Sequence, residues 1–224
     1  MAVLYKIRPE NRPPMTGPGA AGEPRAGPGR AWAQLSEEIA ACRRCPLHQS
    51  RRQVVVFRGS LTPEIVVVGE APGAAEDRAG LPFVGRAGRI LDAGLEEIGI
   101  APERVGILNL LKCRPPLNRF DPTAARACAP FLDRQLDLLG PRRLVTLGAS
   151  ALRALDPSAP PILQAAGEPR TALGRPLFPM IHPAATLRSS RYAARWTRDL
   201  RRLGDWLDPA PDRTAKTARP LPEP

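Results

Sequence analysis

The stretch that most constrains this chain is the run Ile65-Val66-Val67-Val68, broken at once by Gly69-Glu70-Ala71-Pro72-Gly73. An unbroken apolar run has no polar face. A strand made from it is therefore covered on both sides, as in a parallel sheet with a helical layer on each face. The glycines and proline that follow force a loop. In open α/β sheets, a loop at the carboxyl end of a strand is where ligands bind. This loop carries three acids, Glu70, Glu76 and Asp77, and then Phe83 between Pro82 and the Gly85/Gly88 pair. It lacks the G-x-G-x-x-G spacing of a dinucleotide loop.

The same alternation continues along the chain. Trp32, Leu35 and Ile39 fall at helical spacing, and residues 53–57 read as a short strand. Residues 87–98 read as an amphipathic helix stopped by Gly99, and 105–110 as a second buried strand. Asp121-Pro122 is an N-cap with a first-turn proline. It opens a helix carrying Cys128, Phe131, Leu132, Leu136 and Leu139, in which Pro130 predicts a kink or two pieces. Residues 143–148 form a third strand, 149–155 a short helix, 156–175 a loop-rich segment, and 177–181 a fourth strand. A helix over 192–207 closes the series. The pattern predicts an α/β fold with a parallel sheet between helical layers. Three of the strands end in polar side chains, Glu70, Asn109 and His182, which such a sheet brings to one edge.

Residues 1–30, with six Pro and five Gly, and 208–224, with five Pro, lack apolar periodicity and read as disordered tails around one domain over 31–207. Met15 is a second possible start. The net charge is +11, and of 33 basic residues only Lys6, Lys112 and Lys216 are lysines. Arginine forks suit phosphates and base edges, although arginine-rich coding would raise their number everywhere. No stretch reaches the roughly 20 apolar residues of a spanning helix, and no cleavable leader stands at the N-terminus. A cytoplasmic protein with no membrane partner is expected, and there cysteines serve metals more than disulfides.

The cysteines run Cys42-x-x-Cys45, then Cys113 and Cys128, with 67 and 14 residues between. A CxxC turn fixes two thiolates, and two later ones complete a set of four. Pro46 after Cys45 leans toward an iron–sulfur cluster, but spacing alone leaves zinc and [4Fe–4S] open.

Together, GEAPGAAEDRAGLPFVGRAG, NLLKCRPPLNR with Cys128 beyond it, and HPAATLR resemble the family 4, iron–sulfur type, uracil-DNA glycosylases over about residues 35–207. The resemblance implies a three-layer α/β/α fold with a four-stranded parallel sheet. It also implies a [4Fe–4S] cluster on Cys42, Cys45, Cys113 and Cys128, and excision of uracil from single- or double-stranded DNA by a monomer. Since a base inside a duplex is out of reach, it must be flipped into a pocket. Phe83 then stacks on it, beside the loop backbone at Gly73. The Asn109 carboxamide matches the N3–H and O4 edge of uracil, which cytosine reverses. His182 donates to O2 as negative charge builds there, as an oxyanion hole does. Glu70 excludes the thymine methyl.

Activation of the water is less determined. Ala71 stands where the wider superfamily often carries an Asp. Glu76 or Asp77 either orients the water and supports the sugar cation, or simply starts a helix. DNA grip is expected from Arg86, Lys112, Arg114 and Arg188, with backbone N–H groups at Gly73, Gly85 and Gly88. Leu187 is the wedge into the emptied stack, and His48 belongs to the surface or the cluster's surroundings. Two other readings stand beside this one. One is a glycosylase with broadened base choice, such as hypoxanthine; the other is a non-catalytic iron–sulfur protein that binds nucleic acid. A covalent-trapping relative needs a His in the basic loop, and residues 112–121 have none.

Overall fold

The computed structural model describes residues 28–208; the expected tails and the alternative start at Met15 lie outside the described residues, apart from the first few residues of helix α1 and Asp208. The chain folds as α1 (Pro28–Ala40), β1 (Arg58–Gly59), β2 (Ile65–Gly69), α2 (Ala74–Ala79), α3 (Arg86–Glu97) and β3 (Val105–Asn109). It continues as α4 (Pro122–Leu139), β4 (Arg143–Leu147), α5 (Ala149–Leu155), α6 (Ile162–Ala165), β5 (Arg170–Ala172), β6 (Arg175–Met180) and α7 (Ser190–Leu207). The strands form one sheet in the order β1-β3-β2-β4-β6-β5. Its four central strands are parallel and are the four expected, while β1 and β5 are short antiparallel edges.

Side-chain alternation along the strands builds both layers. Ile65, Val67, Val145, Phe178 and Met180 face α3 and α7, where Leu91, Leu95, Trp196, Leu200 and Leu203 close the core. Val66, Val68, Leu144 and Leu177 face α4 and α5, against Leu132, Leu136, Leu152 and Leu155. All five residues of β2 are buried, which is why the strand can afford no polar position.

Several local expectations are corrected. Residues 53–57 are not a strand: Val55 N–H donates to Lys112 O at 2.8 Å, but pairing in the sheet begins only at Arg58. Helix α4 stays one 18-residue helix with Pro130 inside it rather than two pieces. Its start follows the sequence closely, since Asp121 accepts from Thr123 N–H and Ala124 N–H. The loop-rich 156–175 contains α6 and β5.

Connections leave β2 for β3 over one face and leave β4 for β6 over the other. The strand order therefore switches direction between β2 and β4, and the crevice at their carboxyl ends is where such sheets bind ligands.

Candidate active site

A pocket of about 430 Å³ opens at that crevice, within the range of small-molecule sites. Its walls include Glu70, Ala71, Gly73 and Glu76 after β2, Phe83 from the loop before α3, Asn109 at the end of β3, Gly148 after β4, and His182 and Arg188 after β6. The three strand-end side chains thus converge as their positions predicted. The in-register pairing of Gly69 with Asn109 aligns the first two ends. Leu110 N–H to Gly69 O and Leu111 N–H to Glu70 O, both 3.0 Å, extend that pairing past the sheet.

Asn109 is 2 % exposed and its Oδ1 has no hydrogen-bond partner. A buried acceptor left without a donor costs about 1–3 kcal/mol, so its place in a pocket wall points to a donor supplied by a ligand. The His182 ring stacks against Phe83, with centroids 5.7 Å apart and planes 29° apart. Ala184 N–H donates to His182 Nδ1 at 3.2 Å, which places the ring proton on Nε2. Burial, and then the Arg188 cation, push the His182 pKa down to about 4 against the opposing pull of Glu76. A neutral imidazole with one N–H donor is the form expected to stabilise a developing anion. Ser150, which nothing in the sequence singled out, donates to Glu70 Oε2 at 2.6 Å.

Glu76 and Asp77 begin a helix, and Glu76 also lines the pocket. Both stand in the first turn of α2. Glu76 accepts from Gly73 N–H at 3.1 Å, Val84 N–H at 3.1 Å and Gly85 N–H at 2.7 Å. Its carboxylate therefore staples the two loops flanking the pocket, and one of these holds Phe83 in a left-handed backbone (φ 54°). Asp77 is buried and accepts from Arg52 N–H at 3.0 Å, away from the pocket walls. If Glu76 acts as staple rather than base, Glu76→Gln should keep excision within about tenfold of wild type. Glu76→Ala should lose about 2 kcal/mol of stability, since bonds to a charged acceptor contribute roughly 1.5–3 kcal/mol each and the site is only partly buried. Urea unfolding of both variants, read beside their rates, checks this; an inactive but fully stable Glu76→Gln restores the base role.

The expected DNA-gripping set divides. Arg86 and Arg188 are exposed, and Leu187 is 49 % exposed in the segment after His182. Arg114 is half-buried and donates from Nε to Asn118 Oδ1 at 2.8 Å. Lys112 is a correction: it is 1 % exposed with its Nζ 2.5 Å from Asn109 O, so it cannot meet a phosphate. The backbone N–H groups of Gly73 and Gly85 are likewise taken, by Glu76. Gly88 lies inside α3, where a Cβ would sit 1.8 Å from Phe83 O. Sequence reasoning missed Asn118, which lines the pocket from a left-handed turn (φ 55°) beside the 78 % exposed Leu117. The only local signal for it was the Pro-Pro-Leu-Asn turn composition.

Cys42, Cys45, Cys113 and Cys128 line a second, separate cavity, together with His48, Arg51 and Lys112. All four thiols are free, and burial raises the pKa of Cys113 and Cys128. Arg51 donates to Cys113 Sγ at 3.2 Å, and His48 Nδ1 lies 2.7 Å from Cys45 O. Among the described residues, no three His, Cys, Asp or Glu side chains are gathered closely enough to hold a single metal ion. Nor is any described helix long and apolar enough to cross a membrane.

A strand-end pocket with an orphaned carboxamide, a neutral imidazole and a stacking ring defines a site for a planar base. The family pattern of the Uracil DNA glycosylase superfamily matches residues 56–201. A type-4 uracil-DNA glycosylase of Thermotoga maritima is 44 % identical over 158 residues, covering 69 % of this chain and 82 % of that one. The type-4 enzyme of Archaeoglobus fulgidus is 38 % identical over 181 residues, 76 % of this chain and 90 % of its own. A type-5 enzyme of Thermus thermophilus shares 35 % over 151 residues, 53 % and 69 % of the two chains. The chain belongs to the uracil-DNA glycosylase superfamily, in its type-4 family.

Proposed function

We propose that this protein is a monofunctional uracil-DNA glycosylase, acting as a cytoplasmic monomer on uracil in single- or double-stranded DNA and leaving an abasic site. The observation that carries the reading is the buried, unpartnered Asn109 Oδ1 in a pocket that also holds His182 with its proton on Nε2. Asn109 accepts from uracil N3–H and donates to O4. Cytosine presents an acceptor and a donor there instead, leaving two buried groups mispaired. Phe83 stacks on the flipped base, with the backbone at Gly73 in the same wall, and Glu70, held by Ser150, fills the space a thymine methyl needs. As the glycosidic bond breaks, its electrons move onto the base, and His182 Nε2–H stabilises the charge at O2. Glu76 is engaged by three N–H groups and the Ala71 side chain has no polar atom, so Asn118 and Glu70, each holding a single side-chain hydrogen bond, orient the water. Arg86, Arg114 and Arg188 meet phosphates and Leu187 enters the gap in the stack.

The four-cysteine cavity supports a [4Fe–4S] cluster more than zinc. The four thiols line one cavity, and Pro46 directly after Cys45 is a neighbour that recurs at such clusters. Arg51 and Lys112 in the same walls offset the negative charge of four thiolates. Such a cluster supplies a structural clamp between α1, the segment after β3, and α4.

The test is excision from oligonucleotides carrying uracil, hypoxanthine, thymine opposite guanine, or no lesion, followed by alkali. Strand breaks at uracil alone are expected, from a brown protein with iron–sulfur absorbance. Cleavage at hypoxanthine establishes the broadened reading, binding without cleavage the non-catalytic one, and a colourless protein with stoichiometric zinc removes the cluster.

A further inference from the structure

Lys112 is the buried cation for which neither base recognition nor DNA grip has a use. Among the described residues it is the only fully buried lysine or arginine, and an ammonium removed from water requires acceptors or anions around it. On one side its Nζ donates to the main-chain oxygen of Asn109 at 2.5 Å. On the other, Lys112 lines the cavity walled by Cys42, Cys45, Cys113 and Cys128. No carboxylate among the described residues pairs with it. The neighbouring Leu111 N–H holds Glu70 O at 3.0 Å, and Val55 N–H holds Lys112 O at 2.8 Å. Within five residues, 109–113, the chain therefore passes from the base pocket to the four-cysteine cavity, and the lysine side chain bonds back across that span.

We propose that Lys112 is a positioning residue that ties the four-cysteine site to base recognition. Lys112 stands in the wall of the cysteine cavity, and its ammonium fixes the Asn109 carbonyl at the end of β3, and so the carboxamide that reads the base. The pocket and the cysteine site are in this view one rigid unit joined by a charged bolt. The proposal rests on the uracil reading above.

A double-mutant cycle on the metal-loaded full chain tests it. Lys112→Met, similar in length but without donor or charge, is expected to lower uracil kcat/KM by about 10- to 100-fold in the Asn109 background. In an Asn109→Ala background, where no carboxamide remains to be positioned, it should change the residual rate less than about twofold. Its discrimination of uracil over cytosine should fall too, and metal release to a chelator should quicken at least about threefold. Equal losses in both backgrounds overturn the proposal, because a residue that only stabilises the fold acts additively. Unchanged metal release overturns the link to the cysteines. Should Lys112→Met not fold, as judged by circular dichroism, Lys112→Gln enters the same cycle with the same criteria. A wild-type protein inactive on uracil is a separate outcome: it removes the uracil reading itself, and this proposal with it.

Discussion

Gly69→Ala is expected to lower uracil kcat/KM by at least about 100-fold while leaving the cysteine site and most of the fold intact. Gly69 is the last residue of β2, and a Cβ there would lie 2.4 Å from Asn109 Oδ1 and 2.6 Å from the Phe83 ring. No pair of such atoms tolerates that approach, so one or both must move. The Asn109 backbone is pinned by its pairing with Gly69 and by Lys112 Nζ. Phe83 is held between the His182 ring, the Glu76 staple and the close contact of its carbonyl with Gly88. A single methyl therefore disturbs the group that reads the base and the ring that stacks on it together. Displacements of about 1 Å in a positioned site are enough for a loss of this order. Overpacking itself costs about 1–3 kcal/mol, which denaturant unfolding would report separately. Single-turnover excision within fivefold of wild type would show that the pocket is softer than its packing indicates.

His182→Ala is the second large effect: about 10²- to 10³-fold in kcat, the usual cost of removing one donor from an oxyanion site. Its pH behaviour gives an independent check. Because the folded pKa is about 4 against about 6.5 for an unperturbed His, wild-type kcat should show no titration near pH 6.5 and stay level down to about pH 5. The stability consequence has a definite sign. Above pH 6.5 the ring is neutral in both states and contributes nothing. Below it the unfolded chain takes up a proton that the folded protein refuses, so stability falls as pH drops from 6.5 to 4. The full shift corresponds to about 3 kcal/mol, and the ring's partial exposure to pocket water reduces the expected loss to about 2 kcal/mol. His182→Gln should lack this loss. If the two proteins lose stability in parallel over that window, the imidazole is not held neutral.

Much of this architecture is legible in the sequence. The run Ile65-Val66-Val67-Val68 has no face that tolerates water, so a central strand with helices on both sides was its one solution. Asp121-Pro122 announced its helix because capping is decided within three residues. Glu70, Asn109 and His182 could be assigned to one rim because parallel strands all end on the same side. The CxxC pair and two later cysteines, likewise, read as one set from composition and spacing.

What escaped depended on contacts that sequence distance conceals. The edge strands Arg58–Gly59 and Arg170–Ala172 are too short to carry a period of two; partners across the sheet alone make them strands. Glu76 is an ordinary loop acid until Gly73, Val84 and Gly85 close around it from both sides. Ser150 and Asn118 gain meaning only from the Glu70 and pocket walls they meet. Lys112 is the clearest case. In a chain of net charge +11, a lysine two residues before an arginine reads as a surface cation. The last turn of the chain out of β3 instead folds it inward, between the Asn109 carbonyl and the four-cysteine cavity. The identity of the residues, their periodicity and their caps are local properties, and these the sequence by itself determined. Which charge is solvated and which is buried follows from what surrounds it in space, and that only the tertiary structure decided.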